Sequence, residues 1–262
     1  MKKNDLIFFK DWFSDYCKSF YSPDAEDQKN IVLKEKHAHN VCKNIIEIAK
    51  AQSLAENEMM IAETIALFHD IGRFQQYAKY RTFKDSISVN HGLLGANILL
   101  KEKILQNLPD DEQELIIQTV KFHNAFTLPD IRDGKVVFSL KLIRDADKLD
   151  IWRIFIEYYE DSEEEKASAV GLDLPDTSEY SEEVLSYIHN KKVAPLSNLT
   201  TLNDLKIMQM TWVYDLYFKA SFKLLSERDY INRIISTLPQ TEKINAAAAF
   251  LLVFMNEKLK HG

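Results

Sequence analysis

The stretch Ile65–Phe74, IALFHDIGRF, constrains the chain most, because it places a histidine next to an aspartate at the end of an apolar helical pattern. Apolar residues before this stretch recur at helical spacing, His69 extends their stripe toward the core, and Gly72 then offers a usual helix stop. Asp70 is therefore expected at the carboxyl end of a helix, where unpaired carbonyls carry partial negative charge and favour a nearby cation. Taken alone, the His-Asp dipeptide favours a capped helix end with a hydrogen-bonded core histidine over a metal site.

Sparse glycines and prolines favour an all-α fold. The chain has six of each among 262 residues, together with long runs of Leu, Ile, Glu, Lys and Ala, so the turns that an all-β or βαβ chain needs are missing. We expect a single domain over residues 1–262. Residues 157–196 are acidic and polar, and we predict a solvated excursion there with one short helix at Glu182–His189.

Net charge and cysteine content limit the partners and the compartment. A net charge of −7 argues against a surface that coats extended nucleic acid, although it allows one charged substrate in a local pocket. Cys17 and Cys42 form no CxxC motif, and the amino-terminal sequence lacks the features of a signal peptide, which suggests reduced thiols in the cytoplasm. No stretch has the length of a membrane span. The oligomeric state stays open, and a homo-oligomer is compatible with the sequence.

Two histidines lie on the second predicted helix, at about Asp27–Gln52, and the apolar phase distinguishes them. Apolar residues follow His37 at 4, 8 and 11 positions, whereas His39 shares its side of the helix with two lysines. We therefore expect His37 to face the core and His39 to face solvent.

Three further polar residues fall on apolar helical stripes. His91 begins a helix in the sequence HGLLGANILL, whose two glycines permit the close approach of another backbone. His123 ends the stripe of a following helix, and Asp147 lies on the buried face of the next one. The neighbouring Asp145 and Asp150 fall off that stripe, and we predict that they are surface groups or groups that support a ligand from behind.

These positions together predict a metal site. Each buried polar group without a partner costs about 1–3 kcal/mol, and an uncompensated carboxylate costs more, so several such residues need a shared compensation. A ligand set of nitrogen and oxygen without thiolate suits iron, manganese, cobalt, nickel or zinc, as one ion or two. The candidate metal ligands are His37, His69, Asp70, His91, His123 and Asp147.

Three motif pieces follow one another along the chain: His37, the pair His69-Asp70, and Asp147 within the sequence DADKLD. This order resembles the HD-domain metal phosphohydrolases, and HxxxVCxNI at His37–Ile45 fits their first helix. The resemblance covers about residues 34–153 as a motif core. It implies an HD-domain helical bundle, with residues 154–262 as additional C-terminal helices.

His91 and His123 match the two extra histidines of the binuclear branch of that family, as seen in symmetric dinucleoside tetraphosphatases and in HD-type phosphodiesterases. The resemblance implies that these two histidines complete a second metal site, with Asp70 bridging the two ions. It also implies that the first ion is bound by His37, His69, Asp70 and Asp147. The chain lacks the GYP signature of cyclic-di-GMP phosphodiesterases.

The net charge of such a metal site predicts what it binds and which nucleophile it supplies. Two divalent ions against two carboxylates leave about two positive charges in a desolvated site, which suits a phosphate and makes hydroxide available near neutral pH. The catalytic candidates are Asp70, Arg73 and Lys148, and the substrate-binding candidates are Arg73, Lys148, Asn124 and Arg144. Surface salt bridges are the alternative for Arg73 and Lys148.

We therefore predict a metal-dependent phosphohydrolase, a phosphatase or phosphodiesterase, that acts on a nucleotide or other small phosphoester through a metal-bound hydroxide. The alternative is a di-iron HD-type oxygenase acting on a small polar substrate. A catalytically inactive module for ligand sensing ranks last, because it requires lost ligands and all six are present.

Overall fold

The computed structural model describes residues 1–160, 170, 172 and 174–261. Within these residues the secondary structure is helical and contains no strand, which confirms the all-α prediction. The chain separates into two compact units, Met1–Asp150 and Ile151–Gly262, which are described separately below. A single domain over the whole chain stays a prediction. Part of the predicted acidic excursion, residues 161–169, 171 and 173, lies outside the described residues.

None of the described helices combines the length and the apolar character that crossing a membrane requires.

The first unit is a helical bundle in which consecutive helices pack on one another. Helix α2 packs against α3, α5 packs against both α4 and α6, and α1 covers α3. A 3-10 turn at Asp85–Ile87 connects α4 to α5. The helices are α1 Lys3–Lys18, α2 Ala25–Ala51, α3 Glu56–Phe68, α4 Gly72–Tyr80, α5 His91–Lys101, α6 Asp110–Phe122 and α7 Gly134–Glu160, which continues into the second unit.

Side-chain caps start the two helices that matter most for the position of the histidines. Asp24 precedes α2 and accepts hydrogen bonds from the backbone N–H groups of Glu26 and Asp27, at 3.0 and 2.9 Å. Asn90 precedes α5 and accepts one from the backbone N–H of Leu93, at 2.8 Å. Each cap satisfies amide groups that a helix start leaves without partners, so the first residue of α5 is well defined.

Gly72 does not end a helix, and that prediction was wrong. The backbone stays in the right-handed helical region at His69 and at Ile71, and Gly72 is the first residue of α4. A Cβ atom at Gly72 would lie 2.2 Å from the carbonyl oxygen of His91 and 2.8 Å from the backbone nitrogen of Gly95. The glycine is therefore explained by the close approach of α5, as predicted for the glycines of α5 itself.

The second unit, Ile151–Gly262, is also helical and is organised around a buried helix, α9. Every residue of α9 is buried, and α8 packs against both α9 and α12. Helix α8 has the predicted bounds. The helices of this unit are the end of α7, α8 Glu182–His189, α9 Leu202–Thr211, α10 Lys219–Glu227, α11 Tyr230–Ser236 and α12 Glu242–His261.

Candidate metal centre

The first half of the site, here called the first half-site, consists of His37, His69, Asp70 and Asp147. His37 projects from the middle of α2 and His69 follows α3, and their Nε2 atoms lie 3.3 Å apart. Asp147 on α7 places Oδ1 3.0 Å from His37 Nε2, and Asp70 places Oδ2 3.6 Å from the same atom. The predicted ligands of the first ion therefore lie together.

The second half-site consists of Asp70, His91 and His123. His91 is the first residue of α5 and His123 directly follows α6, and their Nε2 atoms lie 3.1 Å apart. Asp70 Oδ1 lies 3.2 Å from His91 Nε2 and 3.7 Å from His123 Nε2. Asp70 thus presents one carboxylate oxygen to each half-site, which is the arrangement of a bridging ligand.

Backbone carbonyls fix the orientation of two of the four rings. His69 Nδ1 lies 2.7 Å from the carbonyl oxygen of Ala66, and His123 Nδ1 lies 2.7 Å from that of Val120. A carbonyl oxygen only accepts hydrogen bonds, so Nδ1 must carry the hydrogen in both rings. Nε2 of a neutral ring then presents a lone pair, as a metal ligand requires.

Carboxylates fix the other two rings. His37 Nδ1 lies 2.8 Å from Asp150 Oδ2, and His91 Nδ1 lies 2.7 Å from Asp85 Oδ2. Burial alone would raise the pKa of Asp85, but the hydrogen bond from His91 and the charges of His91 and Arg73 hold that pKa well below its usual value. Asp85 is therefore ionised, and His91 Nδ1 donates to it.

The donor atoms converge in a way that fits bound cations. Neutral imidazoles would bring two pairs of Nε2 lone pairs within 3.3 and 3.1 Å of each other, with no hydrogen between them. Asp147 Oδ1 is buried and lies 3.0 Å from His37 Nε2, and a neutral His37 with its hydrogen on Nδ1, facing Asp150, donates nothing to that oxygen. A positive charge at each half-site would relieve both features, and the nitrogen and oxygen donors suit a divalent transition metal. The residues present therefore fit the metal.

In the metal-free protein, a proton on His37 supplies positive charge to the first half-site. Burial lowers the pKa of His37, but the hydrogen bonds to Asp147 and Asp150 outweigh it and raise that pKa to about 9. Burial lowers the pKa of His69 to about 4. Burial and the charge of Arg73 lower the pKa of His91, so the second half-site does not gain a proton on that ring.

Sequence reasoning missed Lys34. Its Nζ donates to Asp70 Oδ2 at 2.8 Å, and its side chain is 15% exposed. Lys34 lies one helical turn before His37, and this spacing could have indicated that both side chains lie on the same side of α2. Burial would raise the pKa of Asp70, but the charges of Lys34, His69 and Arg73 hold it well below the usual value.

Sequence reasoning also missed Asp85, which lies in a loop where no helical period exists. Asp150 was predicted as a surface or supporting group, and it is 2% exposed and supports His37. Asp145 is fully buried, so the surface alternative is wrong for both residues. The phase argument was correct for the two histidines of α2: His37 is 1% exposed, whereas His39 is exposed and lies edge-on against Phe13.

Two of the predicted substrate-binding residues lie beside the second half-site and bind protein groups there. Arg73 donates to the carbonyl oxygen of Phe83 and, at 2.9 Å, to Asp85 Oδ1, and its Nε lies 3.4 Å from Asp70 Oδ1. Asn124 donates to Asp85 Oδ2 at 3.0 Å. Both side chains therefore connect the half-site to its surroundings.

The other two predicted substrate-binding residues lie on α7. Arg144 is buried and donates to the carbonyl oxygens of Ala125 and, at 3.2 Å, Phe126, so it holds the loop that follows His123. Lys148 adjoins Asp147 in sequence, and its Nζ lies 3.5 Å from the carbonyl oxygen of Arg144. The substrate-binding roles of these residues stay predictions.

A family model described as HD domain matches residues 33–152. The matched span contains all six residues of the two half-sites. No curated protein and no solved structure matches the chain.

Proposed function

Residues 33–152 belong to the HD-domain family, and from that premise we propose that this protein is a metal-dependent phosphohydrolase acting on a nucleotide or other small phosphoester. The observation that carries the proposal is the convergence of four Nε2 atoms on two sides of one carboxylate, Asp70. A pair of cations bridged in this way suits the binding and hydrolysis of phosphate esters.

We propose that the first half-site holds one divalent ion and that the second half-site holds another. Iron, manganese, cobalt, nickel and zinc all suit the donor set. When bound, such ions polarise a phosphoryl oxygen and lower the pKa of water so that it can attack near neutral pH. The protein contributes the orientation of the four rings through their Nδ1 hydrogen bonds.

The charge around the site also favours an anionic substrate. The partly exposed Asp85 and the buried Asp150 add two carboxylates to Asp70 and Asp147, and four carboxylates would neutralise two divalent ions. The net positive charge that attracts a phosphate must therefore come from basic side chains, of which Lys34 and Arg73 both contact Asp70.

We propose that Lys34 contacts the phosphoryl oxygens directly. Among the described residues it uses one of its three N–H donors on Asp70, and it remains partly exposed. Lys148 keeps a proposed role in substrate binding because it adjoins Asp147. Arg73, Asn124 and Arg144 bind protein groups, so we propose that they act on substrate mainly by holding the site.

The partner we propose is a small phosphorylated molecule, with no role for a membrane or for extended nucleic acid. We keep the cytoplasm as the proposed compartment because Cys17 and Cys42 are both free and buried, which suits a reducing environment.

The test is metal analysis of protein purified without chelator, followed by a panel of nucleotides, dinucleotides and sugar phosphates. We expect phosphate release that chelator abolishes and that the matching divalent ion restores. Asp147→Asn should lose at least about 100-fold in turnover, because a ligand matters at least as much as the groups behind it. His39→Ala, an exposed histidine on the same helix as His37, is the control that should stay active.

Two results would overturn the proposal. One is metal-loaded protein that hydrolyses no phosphoester in the panel. The other is chelator-sensitive dioxygen uptake without phosphate release, which is the behaviour of the di-iron oxygenase alternative.

A further inference from the structure

The loop between α4 and α5 supplies a carboxylate that the second half-site uses indirectly. Asp85 opens the 3-10 turn Asp85–Ile87 and is six residues before His91. The carboxylate does not belong to either group of candidate metal ligands. It nevertheless contacts α4, the first residue of α5 and the residue that follows His123.

Four side-chain donors meet on this one carboxylate. Oδ2 accepts from His91 Nδ1 at 2.7 Å and from Asn124 Nδ2 at 3.0 Å. Oδ1 accepts from Arg73 at 2.9 Å and from Gln76 Nε2 at 2.9 Å. The donors come from α4, from the first residue of α5 and from the residue after His123.

These contacts have a chemical consequence for His91. A carboxylate on Nδ1 fixes the ring in the tautomer whose Nε2 lone pair faces Asp70, and it makes that nitrogen more basic. His123, the other ring of the half-site, needs no such side chain, because it donates to the carbonyl of Val120 in the preceding turn. The sequence therefore has to encode a partner for His91 and not for His123.

The first half-site has the same asymmetry. His69 donates to the carbonyl of Ala66, whereas His37 donates to the carboxylate of Asp150. Each half-site thus contains one ring oriented by its own helix and one ring oriented by a carboxylate from elsewhere in the chain. Asp150 is therefore a matched reference for Asp85.

We propose that Asp85 is the positioning residue of the second half-site: it orients His91 toward Asp70, joins α4, α5 and the end of α6 around that ring, and so determines whether a second ion binds. Asp150 has the corresponding role for the first ion. The inference rests on the metal centre of the proposed function and does not depend on the substrate.

The experiment measures the affinity of both ions in the full chain, stripped of metal and titrated with Zn²⁺ in a calorimeter. Asp85→Asn should weaken one of the two ions by about 10- to 100-fold and leave the other unchanged. His91→Ala identifies which ion is affected, because it leaves only the first half-site complete. In the His91→Ala background, Asp85→Asn should change nothing further, whereas Asp150→Asn should weaken the remaining ion by about the same factor.

A spectroscopic readout separates positioning from general support of the fold. In the metal-free protein the ¹⁵N shifts of His91 should indicate a hydrogen on Nδ1, and Asp85→Asn should change this tautomer while the shifts of His123 stay the same. If Asp85→Asn does not fold, Asp85→Glu keeps the charge and displaces it by one methylene, and it should weaken the second ion alone. Unchanged affinities in the variant that folds would overturn the inference.

Equal weakening of both ions, or a further loss in the His91→Ala background, would also overturn it, since Asp85 would then act on the whole fold. Failure of the proposed function looks different: the wild-type chain would hydrolyse no phosphoester although the two affinities responded as described.

Discussion

The two half-sites share Asp70 but are built from different parts of the helices. The first takes His37 from the middle of α2 and Asp147 from the middle of α7, and both positions lie within regular helical faces. The second takes His91 from the first residue of α5 and His123 from the residue after α6. Helical phase placed His37 and Asp147 inside regular helices, whereas the positions of His69, His91 and His123 also depend on where helices begin and end.

The half-sites also differ in charge when no metal is present. Two carboxylates, Asp147 and Asp150, face His37 and raise its pKa to about 9, against the effect of burial. Burial and the charge of Arg73 lower the pKa of His91. At neutral pH the first half-site therefore contains a proton that a metal must displace, and His91 in the second contains none.

The largest effect is expected from Asp70, the residue that the half-sites share. Asp70→Asn should reduce bound metal from about two ions per chain to almost none, because one substitution removes a charged ligand from both. It also leaves Lys34 beside a neutral amide in place of its ion pair. Elemental analysis after dialysis measures the ratio, and a variant that retains one tightly bound ion would show that the two half-sites are independent.

An intermediate effect is expected from ligands that belong to one half-site only. His91→Ala and His123→Ala should each lower the ratio from about two ions toward one, and His37→Ala should do the same by removing the other ion. Turnover should fall much further than stability, because each change opens a metal position and creates only a modest cavity. His39→Ala is the control, since His39 is exposed on the same helix.

Loss of metal in His39→Ala with retention in His37→Ala would reverse the assignment within α2. Retention of both ions in the His91 and His123 variants, with normal turnover, would return those residues to a structural role.

Helical periodicity predicted some features of the fold and the site correctly and one incorrectly. The inward position of His37 followed from its phase with apolar residues, and the glycines of α5 indicated the close approach that occurs at Gly72. Gly72 itself was misjudged, because a glycine at a helix end and a glycine under a crossing backbone look alike in sequence. Only the position of α5 distinguishes them.

Asp85 and Lys34 could not be found by the same reasoning. Asp85 lies in a loop whose conformation depends on hydrogen bonds to Arg73 and Gln76, and no periodic pattern encodes such contacts. Lys34 looks like an ordinary surface lysine until α3 brings Asp70 to within 2.8 Å of its Nζ. Tertiary contacts, which sequence spacing does not report, decide both cases.

The smallest expected effect is a difference between the two half-sites in the number of protons released when metal binds. At pH 7.5, metal binding to His91→Ala, which keeps the first half-site, should release about one proton because the pKa of His37 is about 9 in the metal-free protein. Binding to His37→Ala, which keeps the second, should release none from His91. Calorimetry in two buffers of different ionisation enthalpy measures the difference.

The sign of the pH dependence follows from the direction of that shift. The pKa of His37 is raised above its ordinary value of about 6.5, so its charged pairs stabilise the metal-free fold at pH values below 6.5, and this stabilisation is lost as the pH rises through about 9. Proton release on metal binding to the first half-site should likewise fall toward zero as the pH rises through about 9, because His37 is then already neutral. Equal proton release by the two variants would contradict the contrast.

The most direct test of the shared carboxylate is electron paramagnetic resonance of the chain reconstituted with Mn²⁺. Two Mn²⁺ ions joined through Asp70 should give an exchange-coupled spectrum at about two ions per chain, and Asp70→Asn should abolish it. An uncoupled six-line spectrum from wild-type protein containing two tightly bound ions per chain would contradict a centre bridged by Asp70.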